Sequence, residues 1–216
     1  MLLGTATAGA TQTVITLNFL PEYLLFNATT ANAPSLLRID IEGDGNLVNL
    51  DAAGLNALCA INMPGRVPFN YMLQLADGLV ANKVVTITIT NVVGNPAIPL
   101  WGRSKHKSGT TYLQMMQFAC VANTGREFTK FSYLALPAAV TVNDLILVDY
   151  RDGLTQRIDA VEMQADNMLY QNTVVATVQG INNTESRIAK VTFQPVLAQN
   201  AYVMRMQPVG AISGVA

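Results

Sequence analysis

The sequence SLLRIDIEGDG at residues 35–45 has a counterpart in DLILVDYRDG at residues 144–153. Along both segments apolar and polar side chains alternate with a period of two residues, and both segments end at an Asp-Gly pair. This alternation is typical of a half-buried β-strand, and Asp-Gly favours a hairpin turn. The sequence therefore predicts the same strand and turn twice.

The spacing of the two segments indicates that the chain consists of two like halves. Asp44 and Asp152 are 108 positions apart, as are Asp51 and Asp159, in a chain of 216 residues. An offset of half the chain length predicts a tandem duplication of one structural unit.

Short helices and regular strands are predicted around the repeated hairpin. Residues 52–61 are apolar and follow Asp51, which is a suitable helix N-cap, while Asp159 and Glu162 form a capping box in the second half. Residues 83–90 alternate Val or Ile with Thr, a strong strand pattern. We count about six to eight short strands per half at regular turn spacing, which favours a sandwich or barrel over a βαβ sheet.

The charge content is low. Only 12% of the residues are charged, against about 25% in typical soluble domains, and the formal net charge is −1. This charge argues against a protein that binds nucleic acid by neutralising phosphates. Two explanations for the sparse charge stay open: a secreted or otherwise low-charge β protein, or a surface that is covered by other subunits.

Targeting and redox signals point to the cytosol as the site of synthesis. No run of eighteen apolar residues is present and no Lys or Arg follows Met1 closely, so neither a membrane span nor a secretory signal is expected. Cys59 and Cys120, one in each half, stand in apolar surroundings. We interpret both as small buried hydrophobic residues of a protein made in a reducing compartment.

One acidic segment has the spacing of a calcium loop. Asp40, Glu42, Asp44, Gly45 and Asp51 occupy positions 1, 3, 5, 6 and 12 of such a loop, although Glu at position 3 and Asp at position 12 depart from the usual pattern. The second half lacks one residue between strand and turn and loses this spacing. The simpler interpretation is the acidic outer face of a strand, so no metal or cofactor site is assigned.

Catalytic machinery is not indicated. The single histidine, His106, lies in the basic segment 102–109 and cannot build a Ser-His-Asp or Cys-His pair with cysteines that are expected to be buried. One histidine also excludes a multi-histidine metal site. We expect no enzyme and no catalytic residues. The basic segment is expected to be a solvated linker, with contact to phosphate, lipid head groups or an acidic neighbour as alternatives.

Two tandem β-rich halves, each with an Asp-Gly hairpin, a short helix and Thr/Val-rich strands, resemble the double jelly-roll major capsid proteins of tailless icosahedral phages, especially membrane-containing ones. The resemblance covers residues 12–207 and rests on architecture and composition; the chain is shorter than most members. It implies an all-β fold of two tandem eight-stranded jelly-roll barrels with short helices. The implied limits are an N-terminal arm at 1–12, jelly rolls at 13–101 and 111–207, a linker at 102–110 and a C-terminal arm at 208–216.

The resemblance implies a structural protein of the virion, made in the host cytoplasm. Such proteins form pseudo-hexagonal homotrimers that tile an icosahedral shell around an internal lipid vesicle. The implied partners are copies of the chain itself, penton and minor virion proteins and the internal viral membrane, with no sequence-specific nucleic acid and no cofactor. The residues expected at interfaces are Leu2, Leu3, Val14, Trp101, Arg103, Lys105 and Lys107.

A second hypothesis from a different class stays open at this point. The segment 40–51 could serve a calcium-dependent carbohydrate-binding or adhesive β-sandwich module. A stability gain with calcium would favour this module, whereas a stable trimer would favour the capsid protein.

Overall fold

The computed structural model describes residues 1–28, 34–62, 71–90, 96–105, 107–137, 141–159 and 178–211. These residues contain sixteen β-strands and one α-helix. No helix among them combines the length and apolar character needed to cross a membrane.

The first half contains two sets of four antiparallel strands, and the second set belongs to a sheet that continues through β9 (Thr111–Cys120). Their orders are β1-β8-β3-β6 and β5-β4-β7-β2. This arrangement of eight strands is that of a jelly roll. The elements are β1 (Leu2–Ala6), β2 (Gln12–Leu20), β3 (Tyr23–Phe26), β4 (Leu36–Ile41), β5 (Gly45–Asp51), α1 (Ala52–Asn62), β6 (Tyr71–Gln74), β7 (Val80–Thr90) and β8 (Ile98–Arg103).

The second half repeats this topology. Its sheets run β14-β11-β16-β9 and β10-β15-β12-β13, which is the order of the first half with eight added to every strand number. The expected fold of two tandem eight-stranded jelly rolls is therefore confirmed. The strands are β9 (Thr111–Cys120), β10 (Arg126–Phe128), β11 (Tyr133–Pro137), β12 (Leu145–Tyr150), β13 (Thr155–Ile158), β14 (Val178–Asn182), β15 (Ile188–Gln194) and β16 (Gln199–Pro208).

The repeated hairpin is present in both rolls. Strand β4 pairs with β5 and β12 pairs with β13, each across a short turn. Gly43 and Gly153 have φ values of 79° and 91°, which residues with a side chain rarely adopt. In the first roll Asp51 caps α1 by accepting a hydrogen bond from the backbone N–H of Gly54 at 2.8 Å. The helix predicted after Asp159 lies outside the described residues.

The two-residue alternation separates core from surface as the sequence predicts. Leu37, Ile39 and Ile41 of β4 are buried, whereas Arg38 between them is exposed. The second roll has a core of its own, in which Cys120 is a buried free cysteine, as expected. The side chain of Cys59, by contrast, is not among those described.

Some chain segments lie differently from the expected arms and linker. Residues 2–6, expected in an N-terminal arm, form β1 and pair with β8, because their backbone completes the edge of that sheet. The strands place the rolls at 2–103 and 111–208. By compactness the chain divides into Met1–Met116 with Met206–Ala216, and Gln117–Arg205. The first unit reaches beyond residue 110 because β9 pairs in parallel with β5, through Met115 and Val48.

Candidate interaction surface

Four large apolar side chains form a row across the outer face of the sheet β1-β8-β3-β6. Leu2 pairs with Trp101, Trp101 with Leu25, and Leu25 with Met72. Residues directly opposite in antiparallel strands project from the same face and contact one another. Leu2 is 50% exposed and Trp101 39%, so the row is open to solvent at the β1–β8 end. We call these four residues the apolar row.

The positions that flank the apolar row add little charge. Pro99 pairs with Thr5 on one side of Trp101, and Arg103 pairs with Tyr23 on the other. Tyr23 also pairs with Gln74 of β6. Among these paired positions Arg103 carries the only charge. Exposed apolar patches with few charges are common at protein-interaction sites, which makes this face the candidate interaction surface.

The opposite face of the same sheet is part of the core of the first roll. Leu24, Leu73 and Leu100 are fully buried there, and the rings of Phe26 and Tyr71 stack with centroids 4.8 Å apart. The apolar row lies on the other face of this sheet, where Leu25 is buried at 6% exposure and Leu2 and Trp101 are exposed. It lies on a sheet whose other face is already packed, so its geometry is fixed before any partner arrives.

Val14, which was expected at an interface, lies on a different sheet. It is 57% exposed and pairs with Thr88 of β7, which in turn pairs with Arg38 of β4. That face consists mainly of threonine and asparagine side chains at the paired positions. The structure therefore brings Leu2, Trp101 and Arg103 together but leaves Val14 as a single apolar residue in a polar row.

Leu3 lies in the bulge of β1 between Leu2 and Gly4 and packs inward. An added Cβ at Gly102 would come within 2.8 Å of its Cδ2 atom, so the Leu3 side chain packs closely on the backbone at position 102. The Met1 ammonium donates a hydrogen bond to the carbonyl of Gly102 at 3.0 Å. Leu3 thus packs against the end of β8 and helps to hold β1 in place.

Lys105 and Lys107 lie beyond the end of β8 and away from the apolar row. The buried carboxylate of Glu22 accepts a hydrogen bond from the backbone N–H of Lys105 at 2.7 Å, while the Lys105 ammonium stays 3.7 Å away. The backbone N–H of Glu22 donates to Ser104 Oγ at 3.0 Å. Glu22 therefore fixes the chain after β8, a role that its sequence context did not indicate.

Asp77 fixes the chain at the start of β9. The backbone N–H of Thr111, and then the N–H and hydroxyl of Thr110, donate hydrogen bonds to its carboxylate and lower the pKa of Asp77 to about 2. Lys107 adds a weaker attraction from 3.8 Å. The charged form of Asp77 is thus bound tightly by the fold.

This binding predicts a loss of stability at low pH. The folded pKa of Asp77 lies below its ordinary value of 3.8, so its stabilisation is complete above about pH 4 and disappears as the pH falls towards 2. We expect Asp77→Asn to lower the free energy of unfolding by about 1 kcal/mol at pH 7. The difference between variant and wild type should vanish near pH 2, as urea titrations at several pH values would show. A difference that is constant with pH would contradict this assignment.

The carboxylates of the proposed calcium loop do not converge. Asp40 pairs with Arg38 at 2.7 Å on the strand surface, Asp51 caps α1, and Asp44 points to partners on β7 and β9. No group of three or more His, Cys, Asp or Glu side chains in the described part of the chain is placed to hold a metal ion. Asp40 lies on the strand surface, as the simpler interpretation expects, whereas the Asp44 side chain is only 5% exposed.

Sequence reasoning missed Leu25 and Met72. Neither segment shows on its own that these two residues meet Trp101. Their proximity depends on the pairing of three strands from different parts of the chain. No local pattern carries that information.

Comparison with known proteins adds to this geometry. No protein-family model and no curated protein matches the chain. Among solved structures, the major capsid protein P2 from Bacteriophage PM2 matches with a TM-score of 0.61 and 12% identity, over 96% of this chain and 94% of that one. The chain has the double jelly-roll fold.

Two further capsid structures share this fold. The STIV MCP matches with a TM-score of 0.54 and 11% identity, over 94% of this chain and 93% of that chain. A chain in the atomic structure of Sulfolobus Turreted Icosahedral Virus matches with a TM-score of 0.62 and 12% identity, over 94% of this chain and 88% of that chain. The double jelly roll therefore spans nearly the full length of the matched chains, at low sequence identity.

Proposed function

We propose that this chain is the major capsid protein of an icosahedral virus, a structural protein that assembles with copies of itself in the virion. The observation that carries this proposal is the repeated strand order of both rolls, which matches capsid proteins over almost the whole of each chain. The low charge content supports this proposal, because neighbouring subunits cover much of the surface of a coat subunit.

The finer proposal is a homotrimer of pseudo-hexagonal outline. Three chains with two jelly rolls each present six similar rolls around one axis, so trimers can fill a nearly hexagonal lattice. Penton and minor virion proteins, and an internal membrane, are the further partners expected of such a shell. The chain is proposed to act without catalysis or a cofactor.

We propose the apolar row as a contact between copies of this chain. It combines an aromatic side chain with leucine and methionine on a fixed sheet, and aromatic residues and methionine are enriched at protein interfaces. Arg103 at its edge would contact the polar rim. The exposed side of the row, Leu2 and Trp101, would be buried on assembly.

Assembly can be tested directly on the purified protein. Mass measurement by light scattering at micromolar concentration should give a trimer, and negative-stain microscopy should show hexagonal blocks, sheets or shells. A protein that stays monomeric at every salt and protein concentration tested would contradict the proposed function. Thermal melting with and without calcium tests the adhesive-module hypothesis in the same preparation.

The apolar row predicts a strong effect of a charge at its centre. Trp101→Glu should leave a folded protein but reduce the assembled fraction at least tenfold, because assembly would then bury an unpaired carboxylate. The measurement is the mass distribution by light scattering, with circular dichroism to check folding.

A matched control is Leu154→Glu. Leu154 is 59% exposed in the turn between β12 and β13, with exposed polar neighbours. We expect it to assemble like the wild type. Equal assembly of Trp101→Glu and the wild type would show that the apolar row is not a contact.

A further inference from the structure

A cleft of about 750 Å³ lies in the first unit, apart from the apolar row. One side of it is apolar, with Leu79, Val80 and Val209. The lining also includes cationic and hydroxyl side chains, and no acidic residue is among the described residues that line the cleft. The polar lining consists of Lys83, Lys105, Lys107, Ser104 and Ser108.

Two of the lysines are available to a ligand. The ammonium groups of Lys105 and Lys107 lie 3.7 Å and 3.8 Å from the carboxylates of Glu22 and Asp77, and their side chains are 74% and 65% exposed. Exposed ion pairs of this length contribute little to stability. Both ammonium groups can therefore move towards a ligand at small cost to the fold.

The two carboxylates already have better partners than these ammonium groups. Glu22 accepts a backbone N–H at 2.7 Å, and Asp77 accepts two backbone N–H groups and a hydroxyl between 2.7 and 2.9 Å. Their negative charge is thus bound from the protein side. These hydrogen bonds do not cancel the negative charge of the carboxylates, but they leave the ammonium groups of Lys105 and Lys107 exposed on the solvent-facing side of the cleft.

The third lysine is held in place. The ammonium of Lys83 donates to Asp44 at 2.9 Å, and its side chain is 28% exposed. It adds a fixed donor next to the apolar side of the cleft. Backbone pairing also fixes the other side: the N–H of Leu79 donates to the Lys107 carbonyl at 2.9 Å, and the N–H of Gly109 to the Leu79 carbonyl at 2.7 Å.

We propose that this cleft binds a phosphate ester, either a soluble phosphomonoester or a phospholipid head group. Lysine ammonium groups bind phosphate as point charges, whereas arginine is preferred where a phosphate or carboxylate is bound in bidentate fashion. No arginine is among the described lining residues. The apolar side of the cleft accommodates the group that is esterified to the phosphate.

This inference goes beyond the proposed function and does not rest on it, because binding is measured on unassembled protein. The probes are glycerol 3-phosphate and inorganic phosphate at constant ionic strength with chloride as reference, and vesicles of phosphatidylglycerol or of phosphatidylcholine alone. Thermal melting reports the soluble probes, and co-sedimentation reports the vesicles. If none of these probes binds, the results of the assembly tests are not affected.

The decisive variant is Lys105→Gln with Lys107→Gln. We expect it to weaken binding at least tenfold, with a melting temperature in chloride close to that of the wild type. Its control is Arg151→Gln with Arg187→Gln, which removes two exposed charges from the second unit and should bind like the wild type. Lys107→Gln alone serves as a second variant should the double variant fold poorly.

The soluble probes and the vesicles together identify the source of the phosphate. Binding of glycerol 3-phosphate supports a soluble ester, and binding of phosphatidylglycerol vesicles alone supports a lipid head group, provided that the lysine variant loses it and the control keeps it. The proposal is overturned if phosphate esters and chloride act alike and vesicles do not bind. It is equally overturned if the two variants lose binding to the same extent, or if a short oligonucleotide binds while the other probes do not.

Discussion

Gly78→Ala is expected to lower the free energy of unfolding of the first jelly roll by about 3 kcal/mol. An added Cβ at this position would lie 2.5 Å from the carbonyl oxygen of Lys107 and 2.9 Å from the backbone nitrogen of Gly109. Both are backbone atoms in a hydrogen-bonded pairing, so they cannot turn away as a flexible side chain would. The alanine can only be accommodated by separating the two segments.

The contact is reciprocal, which strengthens this expectation. A Cβ at Gly109 would come within 2.7 Å of the Gly78 carbonyl oxygen, so each glycine leaves room for the backbone of the other. Urea unfolding followed by circular dichroism reports on both rolls, and the fluorescence of Trp101, the only tryptophan, reports on the first roll.

Gly125→Ala is the control for the general cost of replacing a glycine. Its Cβ would meet only the side chain of Thr192, at 3.3 Å, which can adjust by a few tenths of an ångström. We expect a change below about 1 kcal/mol. A Gly78→Ala protein as stable as Gly125→Ala would contradict the close backbone approach.

Asp44→Ala is the second substitution with a large expected effect. Lys83 donates to its Oδ1 atom at 2.9 Å and the Tyr112 hydroxyl to its Oδ2 atom at 2.7 Å, and the Asp44 side chain is only 5% exposed. Removing the carboxylate leaves an ammonium group and a buried hydroxyl without their acceptor. Breaking a largely buried ion pair in this way costs about 3 kcal/mol or more.

The pKa shifts are consistent with a charged Asp44 carboxylate and a protonated Tyr112 hydroxyl at neutral pH. Burial on its own would raise the pKa of Asp44, but the hydrogen bonds from Tyr112 and Lys83, with the charge of Lys83, together hold it below its ordinary value. Burial and the neighbouring carboxylate raise the pKa of Tyr112. The stabilisation by Asp44 is therefore present at neutral pH and is lost in acid, as its carboxylate becomes protonated.

The repeat provides the control. Asp152 is the counterpart of Asp44 in the second hairpin, but it is exposed and accepts one hydrogen bond, from the backbone N–H of Leu154 at 3.1 Å. Asp152→Ala should cost less than about 1 kcal/mol in chemical unfolding. Adding Lys83→Met to Asp44→Ala should restore part of the lost stability, because the unpaired charge is then removed. Equal losses at Asp44 and Asp152 would disprove the buried role of Asp44.

The local features of the fold could be predicted because their causes are local. A strand turns successive side chains to opposite faces, so the alternation around Ile39 and Val148 fixes both the strand and its buried side. The Asp-Gly pairs fix the turns, since a positive φ favours glycine at Gly45 and Gly153. The division of the chain into two like halves could be predicted because this pattern of strand and turn occurs twice.

The candidate sites could be predicted only in part. Trp101 and Leu2 were expected at an interface, but the two residues stand 99 positions apart in the sequence and meet only because β1 pairs with β8. In the same pairing residues 2–6 form a strand, although they were expected to belong to an arm. A hydrogen-bonded edge strand looks like any other short neutral segment until its partner strand is known.

The sequence by itself determined the class of the fold: strands with one buried face, turns at fixed places and two copies of one unit. The tertiary structure alone decided what each surface residue does. Asp44 and Asp152 occupy the same place in the same motif, yet Asp44 is buried against Lys83 and Tyr112 while Asp152 faces the solvent. The reason is that the local backbone decides in which direction a side chain points, whereas the partners of that side chain come from strands that are distant along the chain.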